Sequence, residues 1–280
     1  MSDPIAAIEA VGQLPDGEID IAEAALQLAR IDLPDADWKA AREHLSDIAR
    51  LAVAASHSIA GDDISGQAEM LGSLIGGHFG YHGDPARYEE ADNANLLRLI
   101  ERRRGLPVAL GILWLHAIAA TGWRGHGVNF PGHFLIALAR DTKKGGTRQV
   151  VIDVFAGGRP LGMPELRTLV KAAKGEAADV HPSLFRPMSA REVLLRLQNN
   201  ITARRRATAD LPGALGCLEN MLRLAPNEAN LWQEAAQLNQ KLDQFSAALR
   251  CYERLLTLSP DGDAASQTRT IIHHLRSRLN

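Results

Sequence analysis

The chain has 280 residues, 46% hydrophobic and 23% charged, which are ordinary globular values that allow two domains, each with its own core. Its formal net charge of −2 gives no bulk attraction to nucleic acid or to an anionic membrane, so neither is expected as a partner. Its two cysteines, Cys217 and Cys251, form no disulfide framework and no paired-cysteine zinc site.

Met1–Ala7 lacks the basic start and apolar core of a signal peptide. The longest apolar run, Leu106–Ala120, is interrupted by His116 and falls short of the ~20 residues that a membrane span needs. A cytoplasmic location is therefore expected.

Residues 1–104 read as helical. Ala, Leu and Ile recur at three- and four-residue steps in Ile21–Ile31, Trp38–Ala54 and Gln67–Ile75, with Asp20 and Asp35 as candidate N-caps. Gly76-Gly77 breaks this pattern, and Gly80–Pro85 reads as a loop. Helical spacing resumes at Leu96, Leu97, Leu99 and Ile100.

Over residues 105–160 the expected structure is one buried helix followed by antiparallel strands. Pro107 opens an apolar segment through Thr121, and Gly122 is its expected C-cap. Strand-like stretches follow at Gly127–Phe130, His133–Arg140 and Gln149–Phe155, the last two flanking the polar loop Asp141–Arg148 in a hairpin. Prolines 182 and 187 mark a linker near Val180–Pro187, after which Ser189 and Glu192 form a capping-box pattern.

The remainder is helical with a 34-residue period: Ala214 recurs as Ala248, Cys217 as Cys251, Leu222 as Leu256 and Pro226 as Pro260. This is the period of the tetratricopeptide repeat, a helix pair that buries its apolar face only against a neighbour. The unit Ala229–Pro260 resembles that family through Trp232, Ala236, Ala248, Tyr252 and Pro260. Both cysteines fall at positions where a small buried side chain fits.

In the hairpin, His133 shares a strand face with Leu135 and Ala137, and Asp153 shares one with Val151 and Phe155. A hairpin centred on Lys143 sets the two opposite each other. A slightly later centre makes them diagonal neighbours, with the imidazole still in reach of the carboxylate.

The stretch Asn93–Gly158, with N-x-x-L-x-x-x-I-E-R-R-R-G-L-P, the apolar helix, V-N-F-P-G-H-F-L and I-D-V-F-A-G-G, resembles the SirB1 family. These are bacterial proteins with a transglutaminase-like, papain-like α+β domain followed by tetratricopeptide-like helices. The resemblance implies a Cys-His-Asp triad, with His133 and Asp153 as the last two members and the cysteine at the N-terminus of the buried helix. Counting back from Gly122 puts Pro107 in that slot, between Leu106 and Val108, and none of these side chains is a nucleophile. The family commonly lacks the cysteine as well.

Three roles stay open for His133 and Asp153: a hydrogen-bonded structural pair, the floor of a binding cleft, or catalysis with another nucleophile or an activated water. The resemblance also points to Asn93, Glu101, Arg103, Gly105 and Asn129 as binding residues, with the Arg102–Arg104 run able to meet an acidic peptide or phosphate. His78 and His82 have helical i, i+4 spacing, yet the surrounding glycines favour a loop over a metal pair.

The expected domains are residues 1–188 and 189–280, with no cofactor and no metal. The preferred function is a non-catalytic scaffold that binds a protein or peptide through the repeat face or the old cleft. The alternative is a hydrolase or acyl-transfer enzyme using His133 and Asp153. Two repeat units are fewer than the roughly three needed for independent stability, so residues 189–280 alone are expected to fold poorly.

Overall fold

Polar side chains start several helices, because a first turn has backbone N–H groups without partners of their own. The computed structural model describes residues 3–141 and 146–279. After α1 (Pro4–Gln13), α2 (Ile21–Asp32) begins where Asp20 accepts hydrogen bonds from the amides of Ala22 and Glu23. α3 (Trp38–Ser56) is capped by Asp37, whose carboxylate accepts from the Ala40 amide at 3.1 Å. The expected cap, Asp35, lies two residues too early, in the turn before it. Asp63 caps α4 (Ile64–Leu71), and Asn95 caps α5 (Leu96–Arg102).

The helix does not break at Gly76-Gly77. Residues Gly72–His78 continue from α4 as a π-helical turn. Glycine is needed here for proximity: a Cβ on Gly76 would lie 2.6 Å from the Gly157 carbonyl oxygen, and one on Gly158 (φ +93°) would overlap the Trp114 ring. The Gly-Gly pair after the last hairpin strand therefore lets that chain lie directly on the π turn.

Two short strands, β1 (His82–Gly83) and β2 (Arg104–Gly105), pair in parallel. α6 (Pro107–Thr121) follows, with Pro107 at its first position and Gly122 closing it in the left-handed conformation at φ 71°. Val108 to Trp114 are all buried, as a helix apolar on every side requires. Its one imidazole, His116, is held at 3.0 Å by the Leu45 carbonyl of α3.

The sheet is antiparallel with order β6-β5-β4-β3-β7, built from β3 (Gly125–Phe130), β4 (His133–Asp141), β5 (Thr147–Asp153), β6 (Arg159–Leu161) and β7 (Pro187–Met188). Two of these strands and the helix α7 (Met163–Lys174) are additional to the elements read from sequence. β7 occupies the end of the expected linker. Its Pro187 is tolerated because an edge strand has one side without ladder bonds. Ile136 pairs with Ile152 and Asp141 with Thr147. The expected turn centre, Lys143, lies outside the described residues.

Alternation divides the sheet cleanly. Phe134 faces α6, and a Cβ on Gly111 would overlap its ring. Val128, Phe130, Leu135, Ala137 and Val151 face the other way, onto Leu166 and Val170 of α7.

The second compact unit runs from Gln198 onward, through α9 (Leu211–Leu224), α10 (Ala229–Lys241), α11 (Phe245–Leu258) and α12 (Gly262–Leu279). It also includes the chain up to Gln13, and α1 packs on α9 with Ile8 fully buried. The first unit covers residues 14–197, so the division falls inside α8 (Ala190–Ala207) rather than at its start. The Ser189–Glu192 capping box that begins α8 is formed, at 2.8 and 3.2 Å. Ala236, Ala248 and Tyr252 are buried together in the repeat core, and Tyr252 donates to Gln240 at 2.6 Å.

Candidate functional site

The entrance of α6 is apolar and fully committed. Leu106 donates its amide to the Asn93 carbonyl at 2.8 Å, and Pro107 follows with no side-chain cap beside it. Asn93 is buried with its Nδ2 on the Arg87 carbonyl, while its Oδ1 accepts no hydrogen bond from any described residue. A Cβ on Gly105 would lie 2.5 Å from a Leu99 methyl and 3.1 Å from the Asn93 oxygen, so Gly105 has a packing role. Both cysteines belong to the other compact unit.

His133 and Asp153 do share a face of the sheet, but it is the face away from α6. His133 pairs with Phe130, and strict alternation sets it with Leu135 and Ala137 on the α7 side. The register of the β4–β5 ladder runs on to set Asp153 opposite Leu135, which makes the two residues diagonal rather than directly paired. No hydrogen bond joins them. Asp153 instead uses Oδ1 to accept the amides of Phe155 at 2.9 Å and Ala156 at 3.2 Å, closing the turn after β5. Of the three open roles, the hydrogen-bonded pair is not formed here: backbone amides two and three residues ahead satisfy the carboxylate first.

Asn129 is also placed by structure. Its Oδ1 accepts from Nη1 of Arg196 on α8, whose Nη2 reaches the His133 carbonyl at 3.2 Å. The two sequence candidates His78 and His82 do not share a helical face. His78 ends the π turn, edge-on to Phe79, and His82 lies in β1.

Two of the other candidates, Arg103 and Glu101, do line one cavity, of about 490 Å³. Arg103 follows α5 in the left-handed conformation (φ 58°, ψ 22°), which is uncommon for a residue other than glycine. Its backbone is pinned on both sides: the amide donates to Leu99 at 2.8 Å, and the carbonyl accepts from His82 at 3.2 Å. This turns the side chain back over the Tyr81 ring, 4.7 Å from its centroid. There Nη1 donates to the Tyr81 hydroxyl oxygen and to Nε2 of His44. The Tyr81 hydroxyl lies 2.8 Å from that same Nε2, and Phe79 packs edge-on against the imidazole at 5.2 Å.

Guanidinium only donates, so Nε2 of His44 carries no proton and the ring is neutral. Burial, helped by the Arg103 charge and opposed by Asp47, pushes the His44 pKa down to about 4. Burial also raises the Tyr81 phenol, against the pull of Arg103. Neither His44 nor Tyr81 stands out in the sequence. They come from separate elements, and only Arg103 carried a local signal.

In the repeat unit, a groove of about 400 Å³ lies among α9, α10 and α11. Leu222 and Ala235 form apolar wall, Asn239 and Arg250 offer polar groups, and the Trp232 indole donates to the Pro226 carbonyl at 2.8 Å. Cys251 lines it too, and burial raises its thiol pKa, away from a reactive thiolate. Among the described residues no group of three or more His, Cys, Asp or Glu side chains is arranged to hold a metal, and no helix is long and apolar enough to cross a membrane.

The chain matches the transglutaminase-like superfamily over residues 40–199 and the tetratricopeptide repeat over residues 201–274. A UPF0162 protein of Xylella fastidiosa is 32% identical over 184 residues, 65% of this chain and 64% of that protein, so this chain spans about two-thirds of that relative's length. A UPF0162 protein of Vibrio cholerae is 25% identical over 262 residues, 92% of this chain and 93% of its own. One from Haemophilus influenzae is 31% identical over 228 residues, 76% of this chain and 78% of its own. With the matched region taking in α3 through the start of α8, and the repeat helices beyond it, this chain belongs to the transglutaminase-like superfamily and carries tetratricopeptide repeats on its C-terminal side.

Proposed function

We propose that the protein is a non-catalytic, cytoplasmic scaffold of SirB1 type that holds a protein or peptide partner through its repeat groove. The observation that carries this reading is Pro107 at the first position of α6, the place where the superfamily resemblance sets a cysteine thiolate. The orientation of the hairpin supports it. His133 and Asp153 lie on the α7 face of the sheet, so a nucleophile opening α6 has neither beside it. On the binding side, Arg250 and Asn239 present polar groups beside an apolar wall that includes the Trp232 ring, in a unit whose architecture is a stack of helix pairs.

The test has two arms on the full-length protein. Activated-ester hydrolysis and amine transfer to a glutamine peptide are measured for the parent and for His133→Ala, with no turnover above background expected from either. Turnover that disappears in His133→Ala while its melting point stays unchanged would restore the enzyme reading. For the partner, a photo-crosslinker at Ala247 in the groove is expected to trap a discrete protein, and Arg250→Glu is expected to abolish the product. Trapping that ignores Arg250→Glu places recognition elsewhere.

A further inference from the structure

The Arg103 cavity is separate from the repeat groove and from any acyl chemistry, and its charge is incomplete. Nη1 of Arg103 is taken up by Tyr81 and His44, both neutral, while Nε and Nη2 have no hydrogen-bond partner among the described residues. Among the described residues no carboxylate pairs with this guanidinium, the neighbouring Glu101 and Asp84 being paired with Arg98 and Arg102. The acids nearby are already engaged: Glu101 with Arg98 at 2.9 Å, and Asp37 with the first turn of α3. What remains is a half-buried cation offering the Nε/Nη2 edge, the two-donor fork that fits a carboxylate side-on. Stacking on Tyr81 and the pinned backbone of residue 103 hold that fork in place before any ligand arrives.

The rest of the cavity has an apolar side, beside a charged side made by Asp37, Arg98 and Glu101. Leu33, Ala40, Ala41 and Leu97 contribute to its walls. Its volume of about 490 Å³ falls within the range of small-molecule sites. A free phosphate would fill the charged end and leave the apolar wall wet. A hydrocarbon alone would leave the fork without an anion.

The geometry points to a binding site for a small amphipathic carboxylate, its carboxylate on Nε and Nη2 of Arg103 and its short alkyl body along Leu33, Ala41 and Leu97. His44 acts as a positioning residue: unprotonated at Nε2, it accepts from Nη1 and turns the opposite edge of the guanidinium toward the cavity.

The experiment is calorimetric titration of the full-length protein with sodium octanoate, octan-1-ol and inorganic phosphate. Saturable one-to-one binding is expected for octanoate alone. Arg103→Asn keeps a residue that tolerates left-handed backbone. It is expected to weaken octanoate at least about tenfold, the loss of one charge-assisted pair. Ala40→Phe fills the wall from an exposed position and is expected to weaken octanoate similarly with an unchanged melting point. Absence of saturable octanoate binding to the parent, phosphate binding as tight as octanoate, or unaltered octanoate affinity in both folded variants each overturns the site. If Arg103→Asn does not melt cooperatively, Ala40→Phe alone decides.

Discussion

His44 and His133 belong to the same compact unit, and their surroundings differ at every point that fixes an imidazole. His44 is held by an arginine, a phenol and an aromatic edge drawn from two other segments of the chain, and the partners dictate its tautomer. His133 opens a strand with its carbonyl engaged by Arg196 and its ring hydrogen-bonded to no described residue. The histidine in the recognisable motif is thus the loosely held one. A site is built where distant elements converge, and a familiar string of residues marks a strand without saying what covers it.

The strongest way to break this comparison is to attack the packing that decides which side of the sheet α6 covers. Gly111→Val should force a Cβ into Phe134 and destabilise the unit by about 3 kcal/mol, read from urea unfolding. A near-neutral result would mean that Phe134 does not face α6, and the orientation of His133 would have to be reversed. Next in size, Tyr81→Phe removes the hydroxyl shared by Arg103 and His44 and should cost about 1.5 kcal/mol.

Asp153→Ala strips two backbone amides of their acceptor and should cost about 1 kcal/mol. His133→Ala removes a half-buried ring without a hydrogen bond and should cost only about 0.5 kcal/mol. A double-mutant cycle of these two should show no coupling, whereas a coupling above ~0.5 kcal/mol would reinstate them as a pair.

A last effect is a pH dependence. The folded pKa of His44, about 4, lies below its unfolded value, so between the two the unfolded chain binds the extra proton. The stability owed to the neutral ring is therefore complete above about pH 6.5 and is lost progressively as pH falls toward 4. Burial of the ring sets this first, with the facing Arg103 charge adding to it and Asp47 opposing it, while the neutral Tyr81 hydroxyl lies against Nε2. His44→Gln should flatten the thermal midpoint across that window, and a slope left intact would assign it to other groups.

How much of this was legible in the residues follows their range of action. Pro107, Gly122, the Ser189–Glu192 box and the 34-residue spacing act over a few neighbours or one repeat, and each was readable. Asp37 was missed in favour of Asp35 because both precede the same apolar pattern, and only the chain's path decides which carboxylate meets the amides. Alternation showed that His133 and Asp153 share a face, but period-two order cannot say whether α6 or the unforeseen α7 lies on it. Arg103 carried a signal through its place in I-E-R-R-R-G. His44 and Tyr81 carried none, since 59 residues separate His44 from Arg103 in the chain.

The docking of α1 on α9 has a consequence for how the molecule is made. Ile8 and Gly12 leave the ribosome long before the carbonyl of Arg223, against which Gly12 lies so closely that no side chain fits between them. α1 is thus made long before its seat, waiting while some two hundred residues emerge behind it. A bulky leader fused just ahead of residue 4 should slow the maturation of the repeats more than that of the sheet.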